Sequence, residues 1–274
     1  MIKKKTYIIS EIGINHNGEF NKVKKLIYLS KKAGADAVKF QLFSPEILGN
    51  KNIKKRYRLF KRFKKISLYE MWCKVCLKTD WLKKIEKICK DIKIDLGFSI
   101  FDYQSLKKLK NINYKFIKIA SGDLNDHYLI KKYLKTKKFI ILSTGMSNEK
   151  EIRKAYNLTN NKKIYLLHCI SLYPTLVKEV NLRRMIRLTK FTKNVGFSDH
   201  TIGPLASIKA ISMGANIIEK HFTFDKKASG PDHQLSADFQ DLKLICEFAK
   251  NNYDYLGKGS INPTKKELKM KKFA

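Results

Sequence analysis

The chain has 274 residues, of which 43% are hydrophobic and 11% aromatic; that is enough apolar side chain for a full core and excludes a disordered polymer. Its 58 basic and 24 acidic residues leave a net charge of +34. The lysines are scattered through nearly every expected helix and loop and mostly spare the strands, so the charge reads as a solvated surface that attracts anionic small molecules, not as a nucleic-acid site. No window of 18 or more apolar residues occurs, so no membrane-spanning helix is expected. The start, MIKKKTYIISEIGINHNG, lacks a small-residue cleavage site and is not read as a signal peptide. Five cysteines, an odd number without a disulfide framework, fit a reducing cytoplasm. Cys73 and Cys76 form a CxxC with no second pair, which is a poor zinc or redox motif.

Short apolar runs recur in chain order at 6–14, 36–43, 94–100, 114–121, 138–145, 163–170, 194–199 and 215–222. Between them lie amphipathic stretches such as NKVKKLIYLSKKAG and PLASIKAISMG. Strand-length runs alternating with helical periods predict βαβ units and a parallel sheet. Gly34 and Gly214 each precede an alanine and then a strand, where a helix C-terminal cap belongs. Eight such units predict an α/β fold closed into a (β/α)8 TIM barrel over residues 1–260. Segment 44–78 is too long for a plain βα loop and is expected to be a lid or substrate loop after strand two.

In such barrels the active site is built at the carboxyl ends of the strands. The expected strand ends here carry an unusual set of polar residues: Glu11 and Asn15-His16-Asn17-Gly18, then Lys39 and Gln41, Ser99, Lys118 with Ser121 and Asp123, Ser143 and Thr144, His168 with Ser171 and Tyr173, Ser198-Asp199-His200, and Glu219-Lys220-His221. Five of the six histidines, at 16, 168, 200, 221 and 233, lie on or just after an expected strand end. His200 and His221 end adjacent strands, so their imidazoles can converge on one ion. Two ligands are too few for a closed structural zinc site and suit an open catalytic metal. Lys39 and Lys118 sit inside apolar runs. Lysine is rarely buried unpaired, so they imply an anion or buried carboxylates in the barrel mouth. A Schiff-base lysine is the competing reading. The grouped hydroxyls of Ser99, Ser121, Ser143 and Ser198 favour a phosphate or carboxylate cradle.

The segments SEIGINHNG (10–18), GADAVKFQLF (34–43), FIKIASGDL (116–124), ILSTGMS (141–147), LLHCISLYPT (166–175), GFSDHTIG (196–203) and IIEKHFTFD…SGPDHQLS (217–236) resemble the N-acetylneuraminate (sialic acid) synthase family, which includes the legionaminic and pseudaminic acid synthases. The resemblance runs across the whole expected barrel. It implies a barrel that condenses phosphoenolpyruvate with an N-acetylhexosamine, N-acetylmannosamine or a 2,4-diacetamido hexose, to a nine-carbon 2-keto sugar acid and phosphate. An acceptor that is itself phosphorylated, and a non-catalytic barrel subunit, are the alternatives.

Carried over by position, the resemblance implies a divalent metal on His200 and His221, manganese in most relatives, with magnesium or cobalt as alternatives. Lys39, Ser99, Lys118, Ser121, Ser143, Ser171 and Ser198 match positions that hold phosphoenolpyruvate. Ser99 stands where many relatives have threonine and keeps the hydroxyl. Glu11 matches a glutamate beside the metal and is the candidate for handling the attacking water. Asp123, Tyr173, Glu219 and Asp232 match sugar-side positions, with Asp123 one methylene shorter than the glutamate usual there. The resemblance also implies a homodimer. Relatives continue into a small C-terminal domain similar to type III antifreeze protein, which supplies an arginine to the sugar. Residues 261–274 are expected to begin the linker to it, with that domain absent here or encoded separately.

Overall fold

The computed structural model describes residues 5–48, 68–159, 164–257 and 259–273. Eight strands form one closed parallel barrel in chain order: β1 (Tyr7–Gly13), β2 (Ala37–Leu42), β3 (Asp95–Ile100), β4 (Phe116–Ile119), β5 (Phe139–Ser143), β6 (Ile164–Cys169), β7 (Val195–Asp199) and β8 (Ile217–His221). Each falls inside one of the expected runs, and β8 pairs back onto β1 to close the ring. The helices between and after them are α1 (Phe20–Ala33), α2 (Pro45–Leu48), α3 (Leu68–Val75), α4 (Trp81–Asp91), α5 (Tyr103–Lys108), α6 (His127–Leu134), α7 (Glu149–Asn157), α8 (Arg183–Arg187), α9 (Leu205–Ser212), α10 (Phe239–Leu256) and α11 (Lys265–Met270). The fold is thus the (β/α)8 barrel that the alternating pattern predicts.

Local chemistry sets the element ends. Gly34 closes α1 with φ +98°, a left-handed conformation that lets its N–H donate to the carbonyls of Ser30 and Lys31. Asn148 and Glu151 form a reciprocal cap at the start of α7. Of the long segment 44–78, residues 49–67 lie outside the described part. The remainder holds α2 and α3, and Trp72 of α3 packs edge-on against Phe43 at 5.1 Å. Residues 261–274, expected as a linker, contain the exposed helix α11, capped by Thr264. Among the described residues no helix is long and apolar enough to cross a membrane.

Because side chains alternate along a strand, each strand serves two environments. The outward positions, such as Ile8, Val38, Phe98, Ile117, Leu142, Leu166, Phe197 and Ile218, join the helices in the main core. The inward positions split into two levels. The lower level is apolar: Ile9, Ala37, Phe116, Ile141, Leu167 and Ile217 pack across the barrel axis. Two residues further along, the same strands present Glu11, Lys39, Lys118, Ser143, Cys169 and Glu219. The apolar level is therefore a watertight floor beneath a polar one.

The floor is closely fitted. Phe116 lies over Gly97, and a Cβ at position 97 would come within 2.2 Å of the ring's Cζ. Gly97→Ala is expected to lower unfolding free energy by about 1–3 kcal/mol through overpacking. Phe116→Leu in the same chain should recover part of that loss, as read by urea denaturation. Simple additivity of the two single losses would refute this account of the floor.

Candidate active site

The polar level is a ring of buried charge. Lys39 Nζ lies 2.8 Å from Glu11 Oε2 and 3.6 Å from Glu219 Oε2, and donates to Ser99 Oγ at 2.5 Å. Lys118 Nζ is 3.7 Å from Glu219 Oε1 and donates to the Ile119 carbonyl at 3.1 Å. Ser198 donates to Glu219 Oε1 at 2.8 Å, and Gln41 donates to Glu11 Oε1 at 3.1 Å. Parallel pairing places these groups side by side: Glu11 is in register with both Lys39 and His221, and Ser99 with Lys118.

Burial and pairing oppose one another here. Burial pulls Lys39 down, but the Glu11 and Glu219 carboxylates outweigh it, so this ammonium stays charged. Burial, only partly offset by Glu219, leaves Lys118 below its ordinary value. Burial raises Glu219, yet Lys118 and Lys39 overcome it and hold the carboxyl at about 2. For Glu11 burial wins, and its carboxyl is pushed up despite Lys39.

Next to this ring the β4, β5 and β6 ends gather hydroxyls. Ser121 Oγ accepts the Gly145 N–H at 3.1 Å. Ser143 Oγ and Ser171 Oγ are buried with no hydrogen-bond partner. Gly145 makes the convergence possible, because a Cβ there would lie 2.5 Å from Ser171 Oγ and 2.7 Å from Ser121 Oγ. Unsatisfied buried hydroxyls cost stability. Placed beside an under-compensated ammonium, they are suited to an incoming oxyanion.

On the other side of the cavity the two imidazoles meet with ring centroids 5.6 Å apart. His200 Nδ1 donates to the Ile170 carbonyl at 2.8 Å, which leaves Nε2 as the nitrogen free to bind an ion once it carries no proton. His221 Nδ1 is buried without a hydrogen-bond partner and sits 3.7 Å from Asp232 Oδ2. Burial, then His200 and Lys39, keep His221 well below its ordinary value and so neutral. Burial and the Glu11 charge raise Asp232 to about 6. Tyr173 stacks on His200 at 4.1 Å. Burial pulls His200 down, but Cys169 and the Ile170 carbonyl outweigh it and raise its ring above the ordinary value. The neutral His221 with its orphaned nitrogen, beside a second imidazole, is a donor set that fits an open divalent centre. Among the described residues no group of three or more His, Cys, Asp or Glu forms a metal cage.

All these groups line one cavity of about 980 Å³ at the carboxyl end of the barrel. Its wall includes Glu11, Lys39, Ser99, Lys118, Ser121, Ser143, Ser171, Tyr173, Ser198, His200, Glu219, His221 and Asp232. Asp123 is the exception. It was expected on strand four toward the sugar, but β4 ends at Ile119 and Ser121–Asp123 form a single 3-10 turn. At three residues per turn, Ser121 and Asp123 point in different directions, and only Ser121 reaches the wall. His168 also turns away, donating to the Val180 carbonyl at 2.7 Å and stacking on Phe197. His16 is buried edge-on to Trp81. Sequence reasoning missed Cys169, two residues beyond floor residue Leu167 and therefore inward-facing, and the α3 residues Met71 and Trp72, which form an apolar part of the wall. Cys169 could have been found from strand alternation.

Burial, and then the charge of Asp126, raise Asp123 to about 6, and its Oδ2 has no hydrogen-bond partner. An acid whose folded value is raised favours its protonated form, so stability present at low pH is lost as pH rises from roughly 4 to 6. Asp123→Asn cannot ionise. Its melting temperature is expected to exceed that of the wild type by roughly 2–4 °C at pH 7.5, with the gain shrinking toward pH 4.5. An equal difference at both pH values would contradict the burial argument.

The NeuB family model matches residues 26–261. The N,N'-diacetyllegionaminic acid synthase of Campylobacter jejuni is 40% identical over 273 residues, covering 97% of this chain and 82% of that protein. The human N-acetylneuraminate-9-phosphate synthase is 29% identical over 266 residues, covering 96% of this chain and 73% of its own. The crystal structure of the N-acetylneuraminic acid (sialic acid) synthetase from Leptospira borgpetersenii, in complex with citrate, superposes with a TM-score of 0.85 at 27% identity, covering 98% of this chain and 90% of that one. With most of the barrel under the family model and these relatives matched along nearly its whole length, the chain belongs to the NeuB family of sialic-acid-type synthases.

Proposed function

We propose that this chain condenses phosphoenolpyruvate with the open-chain aldehyde of an N-acetylated amino sugar, either N-acetylmannosamine or a 2,4-diacetamido hexose. A C–C bond forms between the enol C3 and the aldehyde carbon, water adds at C2, and the C2–O bond to phosphate breaks. The products are a nine-carbon 2-keto sugar acid and phosphate. The observation that carries this reading is the buried Lys118, the partnerless Ser143 and Ser171 hydroxyls and the two imidazoles of His200 and His221, all lining one cavity.

Phosphoenolpyruvate brings a phosphate and a carboxylate. Lys118, Ser121, Ser143 and Ser171 would take one oxyanion, and Lys39, Ser99 and Ser198 the other; all line the one cavity. Binding at both ends fixes the enol in one orientation, the entropic part of catalysis. Glu11, whose carboxyl burial raises, would orient the water and take its proton. Tyr173, Glu219 and Asp232, which line the same cavity, would meet the acceptor. A divalent ion held by His200 and His221, manganese before magnesium or cobalt, would supply Lewis-acid polarisation of the aldehyde oxygen. The same reading carries a cytoplasmic homodimer and a sugar-facing arginine from a C-terminal antifreeze-like domain.

Purified protein with manganese and phosphoenolpyruvate should release phosphate only when an acceptor is added. N-acetylmannosamine, its 6-phosphate and a 2,4-diacetamido hexose separate the acceptor classes. No release with any of them, even with a separately expressed C-terminal domain, would overturn the reading. Chelation should abolish release and manganese should restore it. Lys118→Met should weaken phosphoenolpyruvate binding roughly 10- to 100-fold by titration calorimetry, the size expected for a lost charge-assisted hydrogen bond.

A further inference from the structure

Behind the wall that carries the two imidazoles lies an ion pair that the proposed chemistry does not use. Asp199 and Lys220 are both fully buried and are register partners on β7 and β8. Lys220 Nζ is 3.1 Å from Asp199 Oδ2 and also donates to the Thr201 carbonyl. Asp199 Oδ1 accepts the Thr201 N–H and hydroxyl, each at 2.8 Å. Its Oδ2 accepts the Ser207 hydroxyl of α9 at 2.6 Å. The carboxylate is fully engaged, and together the two side chains grip Thr201, the residue after His200, by its N–H and its carbonyl.

A buried ion pair is a poor way to gain stability, since an apolar pair of similar volume commonly serves as well. What it provides is fixed geometry. Alternation along a strand sends Asp199 and Lys220 to the helix side and their chain neighbours His200 and His221 into the cavity. Any slip of β7 against β8, or rotation of the chain after β7, would change the distance between the two rings.

We propose that Asp199 and Lys220 are positioning residues: a clamp on the back of the barrel wall that holds His200 and His221 at the separation needed to share one divalent ion. The inference rests on the metal reading given under Proposed function. The clamp explains why two imidazoles suffice without a third protein ligand. The geometry is set from behind instead of by the ligands themselves.

The test is a full-length double variant, Asp199→Asn with Lys220→Met, which leaves no lone buried charge. Manganese is titrated into it without substrates and followed by electron paramagnetic resonance, and phosphoenolpyruvate is titrated separately in metal-free protein. The clamp predicts at least tenfold weaker manganese binding with phosphoenolpyruvate affinity within twofold of wild type. Manganese affinity within twofold of wild type overturns it, and so does an equal loss of both affinities, which would mark the pair as merely structural. If the double variant does not fold, Ser207→Ala carries the test. It removes one arm of the clamp and should weaken manganese about threefold, and no change overturns the proposal. Failure of wild-type protein to bind manganese would sink the metal reading instead. In that case ring-nitrogen NMR of metal-free protein still judges the clamp: the His200 Nδ1–H bonded to the Ile170 carbonyl should give one sharp signal in wild type and a broadened one in the variant, and identical spectra overturn it.

Discussion

Everything in the barrel mouth depends on placing two ammonium groups above a dry floor without leaving either of them ruinously unpaired. Among the described residues Lys39 pairs with two carboxylates, Glu11 at 2.8 Å and Glu219 at 3.6 Å, whereas Lys118 pairs with Glu219 alone, at 3.7 Å. Attraction between charges grows as the surroundings lose water. The asymmetry therefore matters: Lys39 is satisfied and acts as a fixed part of the wall, while Lys118 retains demand for a negative partner. The open hydroxyls of Ser143 and Ser171 sit on that same side. The side chains alone leave Lys118 under-paired, a stored demand that is suited to an oxyanion.

This storage is possible because the strands keep their two faces distinct. Inward, β7 and β8 contribute Ser198 and Glu219, hydrogen-bonded across the cavity wall. Outward, one residue on, they contribute Asp199 and Lys220. The loops above are tied in a similar way. Asn15 donates to the Phe222 carbonyl and to Ser236, each at 2.9 Å, and Ser236 donates to the Asp232 carbonyl at 2.6 Å. His233 bonds to Thr223 and to Asn17. The Asn15–Gly18 turn thus holds the segment that carries Asp232. Its polar residues serve the site by fixing a loop, not by touching what binds.

The strands and their inward residues were legible in the sequence because a period of two fixes both the element and the side on which each residue falls. Lys39, Lys118, Ser143, Ser198 and Glu219 all lie on expected runs and all reach the cavity. Legibility ended where that period ends. Asp123 stands beyond β4 on a tighter turn that swings it off the wall. Met71 and Trp72 enter from α3, whose approach to the mouth no local pattern encodes. His168 looked functional by position, but one residue of alternation separates it from inward-facing Cys169. Pairings such as Lys220 with Asp199 depend on the register of β7 against β8, which no local period encodes.

The surface charge and the site charge do different work. The net charge of +34 raises the local concentration of anions around the whole molecule, but salt screens such a field over about 8 Å at physiological ionic strength. It cannot select among anions. Inside the mouth, two ammonium groups face two carboxylates, Glu11 and Glu219, so the ring itself is close to neutral. An anion that enters meets no reservoir of free positive charge. An oxyanion's charge would be answered best where Lys118 and the converging hydroxyls meet, away from Glu219. Selection therefore falls to geometry over a few ångströms, which the Gly145 turn and the register of β4 to β6 determine. The scattered lysines outside supply encounter frequency alone.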